Sequence, residues 1–218
     1  MLELYGHPFS SYTWKVSIAL YANDTPFAFR HLHAGDDEAD ARVARASPAG
    51  LMPLLVDDGR EVFESTSIIE YLDLKHPGPV RFLPADPEAA LDMRTLDRVF
   101  DNYVMASVQA IVSAYIVAAD SAPDPAIIAR AETRLERTYR WLEQWLEREG
   151  EPPPTVTLLT CAAAPSLFYA DWLCPIAPHA PRLAAWRGSL LALPEVRRCI
   201  DDARPYRHLF PPGAPERD

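Results

Sequence analysis

Residues 49–72 read AGLMPLLVDDGREVFESTSIIEYL, and the fold follows from how this stretch is parsed. The apolar run Pro53 to Val56, the triplet Asp57-Asp58-Gly59 and the pair Val62-Phe63 predict a β-hairpin over Leu54 to Phe63. Asp-Gly between two short apolar runs tolerates the positive φ that a tight primed turn demands. Ser65 is placed to cap a helix in which Ile68, Ile69 and Leu72 recur at helical spacing, with Glu70 and Asp73 left for solvent. The first amides of such a helix are unpaired donors, so a ligand carboxylate can rest on them while Glu64 takes a ligand ammonium. A zwitterionic, amino-acid-like end group suits that arrangement. At the other end of the hairpin, Met52-Pro53 opens the first strand. A proline there gives no ladder donor, and a cis bond would turn the Met52 backbone outward, ready to pair with an extended peptide.

Composition bounds the rest. A chain of 218 residues with 49% hydrophobic content can bury a proper core in one or two domains. The 31 acidic residues outnumber the 21 basic ones, for a formal charge of −10, which opposes binding to nucleic acid or to anionic membrane surfaces. No basic-then-apolar leader opens the sequence and no apolar run approaches a membrane span, so a soluble, cytoplasmic protein is expected. Cys161, Cys174 and Cys199 are an odd, scattered set that reads as buried small hydrophobes, and the six histidines lack metal-ligand spacing, so no metal site is expected.

Outward from the hairpin, Leu2 to Tyr5 reads as a buried first strand, Ser11 to Tyr21 as a helix with a serine cap, and Phe27 to His31 as a second, parallel strand. A weak amphipathic helix is expected in Asp36 to Arg45. His76-Pro77-Gly78-Pro79 ends regular structure, placing a boundary near 80 to 87, between a first domain at 1–80 and a second at 88–218. Beyond it the pattern turns to long helices at Glu88 to Val117 and Ala126 to Arg148. A very apolar segment, Thr155 to Leu173, comes next as the central helix. Short helices at Pro181 to Leu193 and Pro194 to Ala203 precede a loose tail, Pro211 to Asp218. The order predicts an α+β domain joined to an all-α one.

With Met52-Pro53 and Glu64-Ser65 one hairpin apart, the chain resembles the cytosolic glutathione transferases over nearly its whole length. The resemblance implies a thioredoxin-like first domain and a glutathione site. In it the proline segment pairs with the glutathione backbone and the Glu64-Ser65 pair holds the γ-glutamyl group. It also implies a homodimer, a small hydrophobic electrophile as second substrate, and a role in detoxification. Ser10-Ser11-Tyr12-Thr13-Trp14-Lys15-Val16 looks like the Ser-Ser-Cys-x-Trp-Arg-Val signature of the zeta class, with Ser10 at the catalytic serine's place and Tyr12 where zeta has cysteine. Thr157 to Pro165 resembles the family's Ser/Thr-x-x-Asp capping motif with Thr160 in the aspartate's place, a change expected to weaken that helix start by about 1 kcal/mol.

A thiol of pKa near ~8.5 is mostly protonated at neutral pH, so chemistry on glutathione needs a group that stabilises the thiolate. Ser10, Ser11 and Tyr12, between the first strand and first helix, are the candidates. Leu51 stands where many relatives use a basic residue for the glycyl carboxylate, and Asp36, Asp37, Glu38 and Asp40 would repel one unless Arg42 or Arg45 compensates. Phe9, Tyr103, Gln109, Tyr115 and Trp172 are the expected lining of a hydrophobic pocket between the domains. Two alternatives stand beside the transferase: a glutathione-dependent cis-trans isomerase of the maleylacetoacetate type, for which Arg98 is the arginine at hand, and a non-catalytic binding protein on the same fold.

Overall fold

The structure, a computed structural model, describes residues 1–33, 35, 37–119, 121–177 and 180–218. Strand β1 (Leu2–Gly6), helix α1 (Ser11–Ala22) and strand β2 (Phe27–His31) form a parallel β-α-β unit in which Leu2 stands opposite Phe27. Helix α2 (Asp37–Ala46) follows, burying only Ala39 and Val43; Asp36, the expected start of this helix, lies outside the described residues. The hairpin comes next, with β3 (Leu54–Asp57) antiparallel to both β1 and β4 (Arg60–Phe63), giving the order β2-β1-β3-β4. Asp58 and Gly59 take φ of 45° and 91°, the positive pair that the Asp-Gly signal predicts.

Helix α3 (Ser65–Lys75) departs from expectation at its start. Its cap is Glu64, whose side chain makes no capping hydrogen bond, and Ser65 is the first helical residue. Asp73 does not face solvent either: it is buried, pairs with Arg81 at 3.0 Å and accepts from the Phe82 amide, fixing the connection out of the sheet domain.

The helical half begins with α4 (Pro87–Val99), capped by Asp86 with proline in its first turn. The single long helix expected over Glu88 to Val117 is interrupted: Phe100–Met105 is π-helical, and α5 (Ala106–Ala118) resumes beyond it. Helices α6 (Pro125–Glu149), α7 (Leu158–Leu173), α8 (Pro181–Leu191) and α9 (Pro194–Ala203) follow, with a closing 3-10 turn at Arg204–Leu209. Helix α7 is buried from Leu158 to Asp171 and continues through Pro165, so packing on all sides outweighs the roughly 3 kcal/mol that an interior proline costs. It begins three residues later than expected. Thr157 caps it by accepting from the Thr160 amide, and the Thr160 hydroxyl donates to the Thr155 carbonyl at 2.7 Å.

The larger of two cores runs through both halves, and a smaller one of Tyr5, Leu32, Ala39, Val43, Leu54 and Val56 lies between the sheet and α2. Helix α1 lies between the sheet, α3, α7 and α9, so Trp14, Val16, Ile18, Ala19 and Leu20 are buried around its circumference and no polar stripe survives. Trp14 meets Phe168 of α7 with ring centroids 5.0 Å apart. All three cysteines are free and buried. The segment 211–218 is not loose: the Asp218 carboxylate takes Arg197 at 3.0 Å, Arg204 at 2.8 Å and Arg207, while Arg217 pairs with Asp171. An acidic residue among three arginines on α9 and the turn after it explains that docking.

Candidate functional site

A cavity of about 240 Å³ opens where the two halves meet, and its walls come from the stretches singled out in the sequence. Leu51, Met52 and Pro53 form one side; Phe63, Glu64 and Ser65 form the next; Tyr12 of α1 and Arg98, Asp101 and Asn102 of the α4–π segment complete it. The hairpin explains the first two. Leu54 stands opposite Phe63 in the β3–β4 register, so the residues just outside that pair, Pro53 and Glu64, leave the sheet side by side. The Met52–Pro53 bond is cis, and neither backbone polar group of Met52 has a partner among the described residues.

Glu64 takes φ 67° and ψ 113°, a region that costs a non-glycine residue of order 1–3 kcal/mol. That conformation delivers Glu64 to the cavity while its carbonyl still accepts the first bond of α3, from the Ile68 amide at 2.9 Å. The amides of Ser65, Thr66 and Ser67 precede that bond and have no intrahelical acceptor, so the positive end of α3 faces the cavity beside a carboxylate. Such a pair matches an ammonium and a carboxylate on one carbon. The Ser65 side chain is itself almost fully buried.

Of the three thiolate candidates only Tyr12 lines the cavity. Burial, with the Asp101 and Glu64 charges adding to it, pushes its phenol up to about 12, so at neutral pH it is a neutral donor. Ser10 is the cap of α1, its oxygen accepting from the Thr13 amide at 3.3 Å; the cap uses a lone pair and leaves the hydroxyl proton free. Ser11 is buried at 5% exposure within the first turn.

A charged group that the sequence reading passed over holds the cavity floor. Lys15, 1% exposed, donates to Asp97 Oδ1 and to both Asp101 oxygens at 2.8 Å and to the Thr66 hydroxyl at 3.2 Å. Arg98 closes the cluster on Asp97 and on Asp101, the latter at 3.2 Å. Burial raises the Asp101 carboxyl above its ordinary value, and Lys15 opposes that shift. The one sequence signal was a lone lysine inside the apolar run Trp14 to Leu20, which needs counter-charges to be tolerated.

The expected hydrophobic lining does not gather at this cavity. Phe9 and Trp172 pack with Tyr169 and Phe210 in an aromatic cluster, Tyr103 and Gln109 face solvent, and Tyr115 packs on the helical core. Phe9 and Trp172 pack there because α7 and the chain after α9 offer them apolar partners. Asp37 and Glu38 are exposed, Asp40 caps the His33 amide, and none of the three lines the cavity; Asp36 lies outside the described residues. Arg42 is spent on Glu61 at 2.8 Å, and Arg45 is exposed outside the cavity wall.

Residues 4–80 match the family described as glutathione S-transferase, N-terminal domain. Over 84 residues the chain is 37% identical to a probable maleylacetoacetate isomerase of Caenorhabditis elegans, a match covering 38% of this chain and 39% of that protein's own length. It is 28% identical over 172 residues to an uncharacterized GST-like protein of Escherichia coli, covering 78% of this chain and 83% of that one. Among solved structures, the maleylacetoacetate isomerase of Anaeromyxobacter dehalogenans, with GSH bound in its active site, superposes with a TM-score of 0.71 at 22% identity, covering 91% of this chain and 94% of that chain. With the sheet order and the Glu64–Ser65 corner in place, residues 4–80 form a domain of the glutathione S-transferase N-terminal type, and the whole chain has the fold of the glutathione transferases.

Proposed function

We propose that this protein binds glutathione in the cavity at the cis-proline and transfers it, as thiolate, to a small hydrophobic electrophile. The observation that carries the reading is the convergence on one cavity of Met52's unpaired backbone, Glu64 in its strained conformation and the free amides of α3. The first fits a peptide backbone, and the others fit the ammonium and carboxylate of a γ-glutamyl group. The Anaeromyxobacter dehalogenans structure, with GSH in the same fold, supports the choice of ligand.

In this reading the thiol loses its proton to water and the Ser10 hydroxyl, aided by the positive end of α1, donates to the sulfur anion. The sulfur lone pair forms the new C–S bond as the electrophile's leaving group departs with its electron pair. Tyr12, held protonated, donates from the cavity wall, and Ser11 shapes the turn. The domains are read as 1–80 and 88–218, the protein as a cytoplasmic homodimer. A mass of 24.4 kDa by light scattering at micromolar concentration would refute the dimer.

Titration calorimetry tests the core of the proposal. A dissociation constant at or below about 1 mM, roughly −4 kcal/mol, weakened by Ser65→Ala, is expected. No heat and no thermal shift at saturating ligand would leave a non-catalytic protein on this fold. One observation favours a second activity: Arg98, paired with Asp97 and Asp101, lines the cavity, and the nematode relative is named a probable maleylacetoacetate isomerase. Glutathione-dependent loss of maleylacetone absorbance would establish it, and no change would remove it.

A further inference from the structure

Glutathione carries one ammonium and two carboxylates, and the cavity at the cis-proline is not equipped for all three. In the binding mode proposed above, on which this inference rests, the Glu64–Ser65 corner takes the γ-glutamyl ammonium and carboxylate. The unpaired backbone of Met52 takes the middle of the peptide. An extended ligand laid along that line runs on past Met52, so its glycyl end reaches Leu51 and Ser47, the wall residues that precede the cis-proline.

That end of the cavity is neutral to negative. Leu51 is a hydrocarbon, 69% exposed, and the Ser47 oxygen accepts from the Gly50 amide at 3.0 Å, which leaves its hydroxyl proton for a carbonyl oxygen. Ser47 directly follows Ala46, the last residue of α2, so the carbonyl end of that helix, with its partial negative charge, lies at the same place. The charged walls elsewhere are Glu64 and Asp101 against Arg98, and Arg98 is already held by Asp97 and Asp101. On α2, Arg42 pairs with Glu61 at 2.8 Å, and Arg45 is exposed and is not part of the wall. Among the described residues, then, no unengaged wall cation is left for a second carboxylate.

A carboxylate placed there gives up water for a neutral hydroxyl and a helix end of like sign. A carboxamide gives up less, keeps the carbonyl contact to Ser47, and brings N–H donors that match the carbonyls ending α2. We propose that the preferred thiol of this site is a γ-glutamyl tripeptide whose C-terminal carboxyl is blocked as an amide or ester, glutathione itself being the weaker ligand. Leu51 and Ser47 set that preference.

Titration calorimetry on the full-length protein, comparing glutathione with its glycyl carboxamide, tests this. The carboxamide should bind about two- to fivefold more tightly at low salt, the size of the effect of a like charge at a helix end. Added salt should narrow the gap, because screening relieves the carboxylate. Leu51→Lys, at a position exposed enough to accept it, should tighten glutathione about threefold and leave the carboxamide unchanged. Arg45→Gln should leave the order of the two ligands as it is. Equal affinity for the two, tighter binding of glutathione, a carboxamide preference undiminished by Leu51→Lys, or a severalfold loss of glutathione affinity in Arg45→Gln would each overturn the inference and leave the glutathione reading standing. No heat from either ligand would remove both.

Discussion

The Lys15 ammonium and the Asp97 carboxylate are 2.8 Å apart and fully buried, one on the first helix of the sheet domain and the other on the first helix of the helical domain. An ion pair taken this far from water contributes little net stability, because desolvation offsets most of the attraction, but removing one partner strands the other. Its place between the domains makes it a device that fixes how they meet, and hence the width of the cavity.

Lys15→Met should therefore destabilise the protein by up to about 3 kcal/mol, since Asp97 and Asp101 lose the buried ammonium they share and keep only the half-exposed Arg98 as counter-ion. The double change Lys15→Met with Asp97→Leu should recover a large part of that loss. Urea unfolding of both variants gives the answer, and equal destabilisation by the two would contradict the pairing argument.

Glu64→Gly should stabilise the fold and weaken glutathione binding together. Glycine adopts φ near 67° without the penalty that Glu64 bears, a gain of about 1 kcal/mol, while the carboxylate facing the ligand is lost. A melting temperature that rises as the calorimetric affinity falls is the expected pair of readouts.

Ser10→Ala should lower turnover about a hundredfold, the usual cost of losing a donor to a developing anion. Tyr12→Phe, which removes the donor that lines the cavity, should also lower turnover, and Ser11→Ala should act mainly through stability. Because Ser10 also caps α1, its loss carries a stability cost of about 1 kcal/mol that must be measured separately. The discriminating readout is the ultraviolet absorbance of bound thiolate against pH, which Ser10→Ala should shift to higher pH.

His7 should make the protein acid-sensitive above the carboxylate range. Burial, with the neighbouring His31 and His33 adding to it, pushes its imidazole from the ordinary 6.5 down to about 4. Its Nδ1 accepts from the Phe9 amide, and the rings of His31 and Tyr206 pack against it. The unfolded chain takes up a proton near 6.5 and the folded one only near 4, so stability is full above 6.5 and declines as pH falls through that window. Urea midpoints at pH 7 and pH 5 should fall further for the native protein than for His7→Gln. A decline of equal size in both would assign it to other groups.

Much of the fold and half of the site were legible because they rest on short-range chemistry. Asp58-Gly59 demands its turn wherever the rest of the chain goes, and the hairpin register then carries Pro53 to Glu64 without help from the helical domain. The helices followed from apolar spacing for the same reason, with errors where local rules are silent: the π segment at Phe100–Met105, and the shift of the α3 cap from Ser65 to Glu64.

What sequence determined by itself was the order of strands and helices and the pairing of the cis-proline segment with the Glu64–Ser65 corner, since each depends on dihedral preferences and hydrogen bonds within one hairpin. Tertiary structure alone decided that Lys15 is neutralised by carboxylates 82 and 86 residues away, and that Tyr12 rather than Ser10 or Ser11 lines the cavity. It also decided that Phe9 and Trp172 serve the core, and that Asp218 is locked to three arginines. Those outcomes depend on which distant groups share a low-dielectric space, and burial, unlike a turn, is a property of the packed whole.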